Sequence, residues 1–143
     1  MPNEVAAEIQ RGVDNHPALA SVFTVNWLSI VELDFPEVVH VAMFKSELGG
    51  APLDHLGECA VLALVKKLGG IGIVDDWAAH ETATRHGVPV KNTLTLICSA
   101  FKAGAVAREN AEHLVDELAA TDMRLPVDGS GLFAWAYAEG VLP

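Results

Sequence analysis

The 143-residue chain is poor in positive charge, in cysteine and in long apolar runs. Nine Lys and Arg against nineteen Asp and Glu give a net charge of −10, whereas proteins that bind nucleic acid mainly by neutralising phosphates are usually basic. The charge therefore argues against a simple nucleic-acid coating module. It is compatible with a basic protein partner or with a carboxylate site for cations.

Cysteine usage and apolar run length limit the cellular context. Cys59 and Cys98 are too few for a disulfide framework and belong to no C-x-x-C pair, so we expect both to be small buried residues on helices. The first twelve residues carry acids where a signal peptide would carry basic and then apolar residues, and no apolar stretch approaches the roughly 18 residues of a membrane span. The sequence predicts a soluble protein of the cytoplasm that does not contact a membrane.

What is present is the composition of a globular protein, with 51% apolar and 20% charged residues. A chain of this length predicts a single domain covering 1–143. The apolar spacing and the positions of Gly and Pro predict helices at about 2–11, 37–48, 54–68, 75–85, 93–103, 107–119 and 129–139.

Strands are predicted within 22–33, at 71–74, at 88–90 and, as an edge strand, at 123–125. The 71–74 run has no polar side chain and lies between glycine and aspartate, which suits a strand buried on both faces of a parallel sheet. Helices and strands alternate in the middle of the chain, and this order indicates βαβ connections. The predicted fold class is α/β, with a parallel sheet flanked by helices.

Four acidic residues could carry chemistry. Ligands of open α/β sheets gather at the carboxyl ends of the strands, where Asp75 and Asp76 follow the 71–74 strand. Glu58 lies near the start of the preceding helix, and Glu8 lies late in the first helix. If they converge, they form oxygen ligands suited to Mg²⁺ or Mn²⁺, which can activate water for phosphodiester cleavage.

Each of these acids also has a purely structural interpretation. Asp76 suits a helix N-cap with Asp75 as its neighbour, Glu58 complements a helix dipole, and Glu8 suits a solvated helix face.

Other chemistries have weaker support. The six histidines lack a metal-ligand spacing, although His80 shares a helical face with Asp76 and His55 could approach the Glu58 end of its helix. There is no Walker A loop, no G-x-G-x-x-G and no serine triad pattern. We expect the three tryptophans to be core residues rather than base-stacking platforms, because no basic residues are interleaved with them. A receiver-like phosphoacceptor pair at Asp75 and Asp76 lacks the Thr and Lys partners of such sites.

A family resemblance rests mainly on three segments: LGECAVLAL (56–64), IVDDWAAHETATRHGVPV (73–90) and NTLTLICSAFKAGAV (92–106). They resemble PIN-domain proteins, in the branch of predicted nucleic-acid-binding proteins related to toxin ribonucleases. The opening PNEVAAEI (2–9) is similar to an early helix of that branch, and the tail is similar in layout.

The resemblance implies an α/β/α sandwich with a parallel sheet and an acidic metal site. It implies Mg²⁺- or Mn²⁺-dependent cleavage of RNA, often by a toxin that an antitoxin restrains. Carried over residue by residue, Glu8, Glu58 and Asp76 match the family's acidic ligands, with Asp75 as a rival of Asp76.

The chain departs from this pattern in three places. The branch begins with a strand that ends in an Asp-Thr-Ser-like turn, and no such segment is present before the 2–9 helix. His80 stands where the branch usually has Arg, and Asn92 stands where a Gly usually precedes Thr93. The expectation is therefore an N-terminally truncated PIN-like domain, unless Met1 is an internal methionine of a longer chain.

Losing a strand from the middle of a sheet exposes backbone edges and apolar faces. Such a chain must rearrange, pair with another copy or use a separately encoded segment, so a homo-oligomer is predicted. Two functions stay open at this point: a metal-dependent ribonuclease with RNA as substrate, and a non-catalytic module that binds an antitoxin-like partner or its own copy.

Overall fold

The computed structural model describes residues 1–121 and 123–143, and the chain divides into two compact units, 1–91 and 92–143. The first unit contains α1 (Asn3–Gly12), a 3₁₀ helix (Pro17–Thr24), α2 (Phe35–Leu48), α3 (Leu56–Leu68), β1 (Gly72–Ile73), α4 (Trp77–Arg85) and β2 (Val90–Lys91). The second unit contains α5 (Thr93–Lys102), α6 (Arg108–Ala119), a 3₁₀ turn (Gly129–Gly131) and α7 (Leu132–Ala138). The helices predicted from apolar spacing are confirmed, and their ends lie within a few residues of the predicted ones. The single domain over 1–143 stays a prediction.

The sheet of the first unit is a parallel pair, β1 with β2, connected through α4. Gly72 N donates to Pro89 O and Val74 N to Lys91 O, both at 2.9 Å. The predicted βαβ connection and the α/β class are therefore confirmed in this pair. The sandwich and the truncation stay predictions.

The environment predicted for the 71–74 strand is wrong. Ile71 and Ile73 are 55% and 39% exposed, so β1 is not buried on both faces. An uninterrupted apolar run shows that a strand can be buried, but whether it is buried depends on which other elements cover it.

The strand predicted within 22–33 is reduced to one bridge, in which Val31 pairs in parallel with Pro2. The start of that segment belongs to the 3₁₀ helix Pro17–Thr24, where Pro17 occupies the first turn and the Ser21 hydroxyl donates back to Ala18 O at 2.8 Å. Local hydroxyl-to-backbone hydrogen bonds of this kind compete with strand pairing. The β-branched composition alone therefore overstated the strand.

The core of the first unit forms around α3. Cys59, Leu62 and Ala63 are fully buried there, and Phe44 of α2 is buried with them. Lys67 of α3 donates to Glu37 Oε2 of α2 at 2.9 Å, so an ion pair also connects these two helices. The prediction that Cys59 is a small buried residue on a helix is confirmed.

The second unit has its own core, and Cys98 is buried in it as predicted. The rings of Phe101 and Phe133 pack edge to face at 4.7 Å, and the Arg108 guanidinium lies 4.1 Å from the Phe133 ring centroid. The edge strand predicted at 123–125 is wrong, because these residues are irregular and the described part of this unit holds no strand that could pair with them.

Across both units, no helix formed by the described residues is long and apolar enough to cross a membrane.

Candidate metal centre

One cavity of about 250 Å³ in the first unit brings all four predicted acids together. Glu8 comes from α1, Glu58 from the first turn of α3, and Asp75 and Asp76 from the segment between β1 and α4. The rest of the lining is apolar or glycine: Val5, Gly57, Val61, Ile73 and Val74. The four acidic residues therefore line one cavity at the carboxyl end of β1, where the sequence placed Asp75 and Asp76.

Asp76 is both a helix cap and a wall of this cavity. Its Oδ1 accepts the backbone N–H of Ala79 at 2.8 Å, which makes Asp76 the N-cap of α4. The hydrogen bond holds the carboxylate in one orientation, and the described residues give Oδ2 no hydrogen-bond donor. The structural and functional interpretations of Asp76 are thus compatible.

Glu8 approaches the cavity across a glycine. A Cβ at Gly57 would lie 2.6 Å from Glu8 Oε2, closer than real Cβ contacts allow. Gly57 is buried in the first turn of α3, one residue before Glu58. The missing side chain at position 57 therefore lets Glu8 reach the start of α3.

A histidine that the sequence suggested only weakly lies beside the acids. His55 is the N-cap residue of α3 with φ at 55°, and its Nδ1 lies 3.9 Å from Asp76 Oδ1. His55 has a left-handed backbone because it ends the turn at 51–55. The sequence did not predict this turn, because residues 51–55 have no periodic apolar pattern. His80 lies elsewhere, in a surface groove along α4 that Trp77 and Arg85 also line.

The residue types that line the cavity suit a divalent metal ion, but their positions do not form a complete set of ligands. Carboxylate oxygens are the ligands that Mg²⁺ and Mn²⁺ prefer, and the described lining of the cavity includes no Lys or Arg. Yet no group of three or more His, Cys, Asp or Glu among the described residues is placed closely enough to hold an ion. An ion bound here would need some of these side chains to move closer together.

Cys59 lies next to Glu58 in α3 but is not suited to act as a ligand. Burial raises the pKa of its thiol to about 11, and the negative charge of Glu58 adds to that shift. The thiol is therefore protonated at neutral pH, whereas metal binding and nucleophilic attack need the thiolate. The chemistry of this site is left to the oxygens.

Comparison with known proteins gives one match. A family model described as DUF3368, a PIN domain, matches residues 1–129. The matched region contains all four acids of the cavity and continues into the second unit. No curated protein and no solved structure matches the chain.

Proposed function

The chain belongs to this PIN-domain family, a family of nuclease type, and on that premise we propose that it is a Mg²⁺- or Mn²⁺-dependent ribonuclease. The observation that carries the proposal is the cavity that Glu8, Glu58, Asp75 and Asp76 all line. These four residues come from three separate segments of the first unit, so their meeting is a property of the fold and not of local sequence.

Glu8, Glu58 and Asp76, with Asp75, would hold the metal, which when bound supplies an activated water and stabilises charge on the phosphate. The protein's own contribution is placement of the oxygens. Ala79 N–H fixes the Asp76 carboxylate, and Gly57 admits Glu8 to the start of α3.

The charge of the site makes the metal important for substrate binding as well. A cavity with four carboxylates and no described Lys or Arg in its lining repels a phosphate. We therefore expect RNA to be held through the metal and to bind poorly without it. A toxin role with an antitoxin-like partner, and self-association, belong to the same proposal, and the exposed apolar side chains of the first unit give such partners a surface to contact.

The test is cleavage of single-stranded RNA in Mn²⁺ or Mg²⁺ by wild type and by variants that keep the fold. Glu58→Gln and Asp76→Asn each remove one charge with little change in shape, and Asn retains the N-cap hydrogen bond. We expect each to lower the cleavage rate by at least about 100-fold, since even residues that only support metal ligands are worth 10- to 100-fold. Glu109→Gln, in the first turn of α6 and exposed, is the matched control and should cleave like wild type.

A third variant tests placement alone. Gly57→Ala keeps all four carboxylates but pushes its methyl against Glu8 Oε2, so we expect Mn²⁺ affinity to fall about tenfold. Calorimetric titration with Mn²⁺ measures this directly. Wild-type protein that binds no Mn²⁺ at millimolar concentration, or cleavage that survives both Glu58→Gln and Asp76→Asn, would refute the assignment.

A further inference from the structure

A surface groove of about 430 Å³ runs along α4 and shares no lining residue with the acidic cavity. We call it the α4 groove. Five residues line it: Trp77, His80, Glu81, Thr84 and Arg85. Their spacing of three or four residues places them on one face of the helix. Four of the five side chains are polar or charged, so the Trp77 ring is the one large apolar surface in the lining.

The Trp77 ring is free to take a ligand. It is 74% exposed, and the described residues place no second aromatic ring and no cation against it. A flat exposed ring of this kind is the surface on which the bases of single-stranded nucleic acids stack. A protein partner suits the groove less well, because the centres of protein interfaces are depleted in charged residues.

The groove begins beside the acidic cavity. Trp77 follows Asp76 directly in the chain, and Asp76 lines that cavity. The eight residues from Trp77 to Arg85 span about 12 Å along the helix axis. This length accommodates about three stacked nucleotides at about 3.4 Å each. A strand with one phosphate at the cavity can therefore place its neighbouring bases along the groove.

The far end of the groove carries a cation that can contact a phosphate. Arg85 donates to Thr82 Oγ1 at 2.9 Å and to Glu47 Oε2 at 3.3 Å. Its side chain is 56% exposed, and an ion pair at such a position contributes little to stability. The guanidinium has five N–H donors, so it can bind a phosphate while it keeps a contact to the protein.

Glu81 makes the groove selective for the kind of base. It is exposed and lies one helical turn after Trp77, on the same face. An ionised carboxylate only accepts hydrogen bonds, so it can bond the exocyclic amino group of cytosine but repels the O4 acceptor of uracil. Neutral His80 has one donor and one acceptor, so it does not distinguish the two bases.

We propose that the α4 groove binds single-stranded RNA, with an amino-bearing base stacked on Trp77 and bonded to Glu81, and with a phosphate of the same strand at Arg85. The inference rests on the proposed ribonuclease function, because it names the bases that lie beside the phosphate to be cleaved. The groove orients the strand and takes no part in the bond cleavage. Trp77, Glu81 and Arg85 are thus positioning residues.

The first test measures stacking in metal-free buffer, where no cleavage occurs. Trp27→Phe/Trp135→Phe leaves Trp77 as the single tryptophan, and Trp77→Phe/Trp135→Phe leaves Trp27. Titration with the RNA tetranucleotide CCCC should quench the fluorescence of the first protein and leave that of the second unchanged. Trp27 is equally exposed, but the described lining around it is apolar and has no Lys or Arg.

The second test measures affinity by the anisotropy of labelled CCCC and UUUU. Trp77→Leu should weaken binding of CCCC at least about fivefold, whereas Trp77→Phe, which keeps a ring, and Trp27→Leu should bind like wild type. Wild type should prefer CCCC to UUUU, and Glu81→Gln should remove the preference because an amide can also donate to uracil. Arg85→Gln should weaken both RNAs alike and lower the slope of log affinity against log salt by about 0.7.

Three results would overturn the proposal. The first is no quenching of Trp77 by CCCC at millimolar concentration, and the second is unchanged affinity in Trp77→Leu. The third is a preference for CCCC that Glu81→Gln does not alter, since the carboxylate would then not read the base. A dimer that Trp77→Leu abolishes, in a protein that binds neither RNA, would assign the groove to a protein contact and also refute it.

Cleavage assays separate this inference from the proposed function. Loss of binding in metal-free buffer with intact Mn²⁺-dependent cleavage would refute the α4 groove alone. Binding that follows the variants as expected, in a protein that cleaves no RNA, would refute the ribonuclease alone.

Discussion

The two units of the chain differ in how much apolar and acidic surface they leave exposed. The second unit buries Leu94, Leu132 and Phe133 in one core. The first unit buries a core of similar kind around α3, but it also has an apolar groove beside β1 and a cavity lined by four acidic residues. The features that suit binding are therefore concentrated in the first unit.

The exposed apolar side chains show the same difference. In the described part of the second unit, the large ones are Leu96, Leu114 and Tyr137. The first unit exposes all the others, and they include Trp27 and Trp77 at 77% and 74%. A unit that keeps so much apolar surface in water loses hydrophobic stabilisation that folding could otherwise provide. A role in binding would explain why the first unit keeps this apolar surface exposed.

The largest expected effect concerns the packing of the core of the second unit. Phe133→Ala removes a ring that is almost fully buried between Phe101 and Arg108, and we expect the free energy of unfolding to fall by about 3–5 kcal/mol. Tyr137→Ala, in the same helix but half exposed, is the matched control and should cost far less. Urea unfolding followed by far-UV circular dichroism measures both. Equal losses would mean that the second core is not packed as described.

A smaller effect concerns how the first unit is held together. Lys67 donates to Glu37 and to Asp34, both at 2.9 Å, and its hydrogen bond holds the pKa of Glu37 below the ordinary value of 4.5. A lowered carboxyl pKa contributes stability above pH 4.5, and that stability is lost as the pH falls through the lower folded-state pKa. The raised pKa of Lys67 contributes stability below pH 10.5 that is lost only above it.

We therefore expect Lys67→Met to be less stable than wild type at pH 7, with the difference shrinking as the pH falls below 4.5. Urea midpoints at pH 7, 4.5 and 3 give this comparison. Lys66→Met, the exposed neighbour in α3, should follow the wild-type pH profile. A Lys67→Met deficit that stays constant from pH 7 to 3 would show that the ion pair to Glu37 contributes nothing to the link between α2 and α3.

The sequence predicted the candidate site better than it predicted the surface around it. Asp75 and Asp76 were placed correctly because a strand followed by a helix fixes where the intervening residues lie. The approach of Glu8 to the start of α3 could not be read from the sequence pattern, which left the convergence of the acids open. It depends on the bare Cα of Gly57, and the spacing of residues along the chain does not show that contact.

The errors of the sequence prediction share a physical cause. The β-branched residues of 22–33 suit a strand, and an edge strand was predicted at 123–125, but a strand forms only where another strand edge is available to pair with it. Trp27, Trp77 and Ile73 were expected in the core because they are apolar, and each is exposed because no described element covers it. Composition determines what a residue can bury, whereas the packing of distant segments determines what it does bury.

The smallest expected effect is on Trp27, and it tests whether this exposed side chain contributes to the stability of the first unit. Trp27 is 77% exposed in the first unit, so Trp27→Ala should change the free energy of unfolding by less than about 0.5 kcal/mol. Urea unfolding of this variant beside wild type measures the change. A large loss of stability would place Trp27 in the core of the first unit, and its ring would then not belong to a retained binding surface.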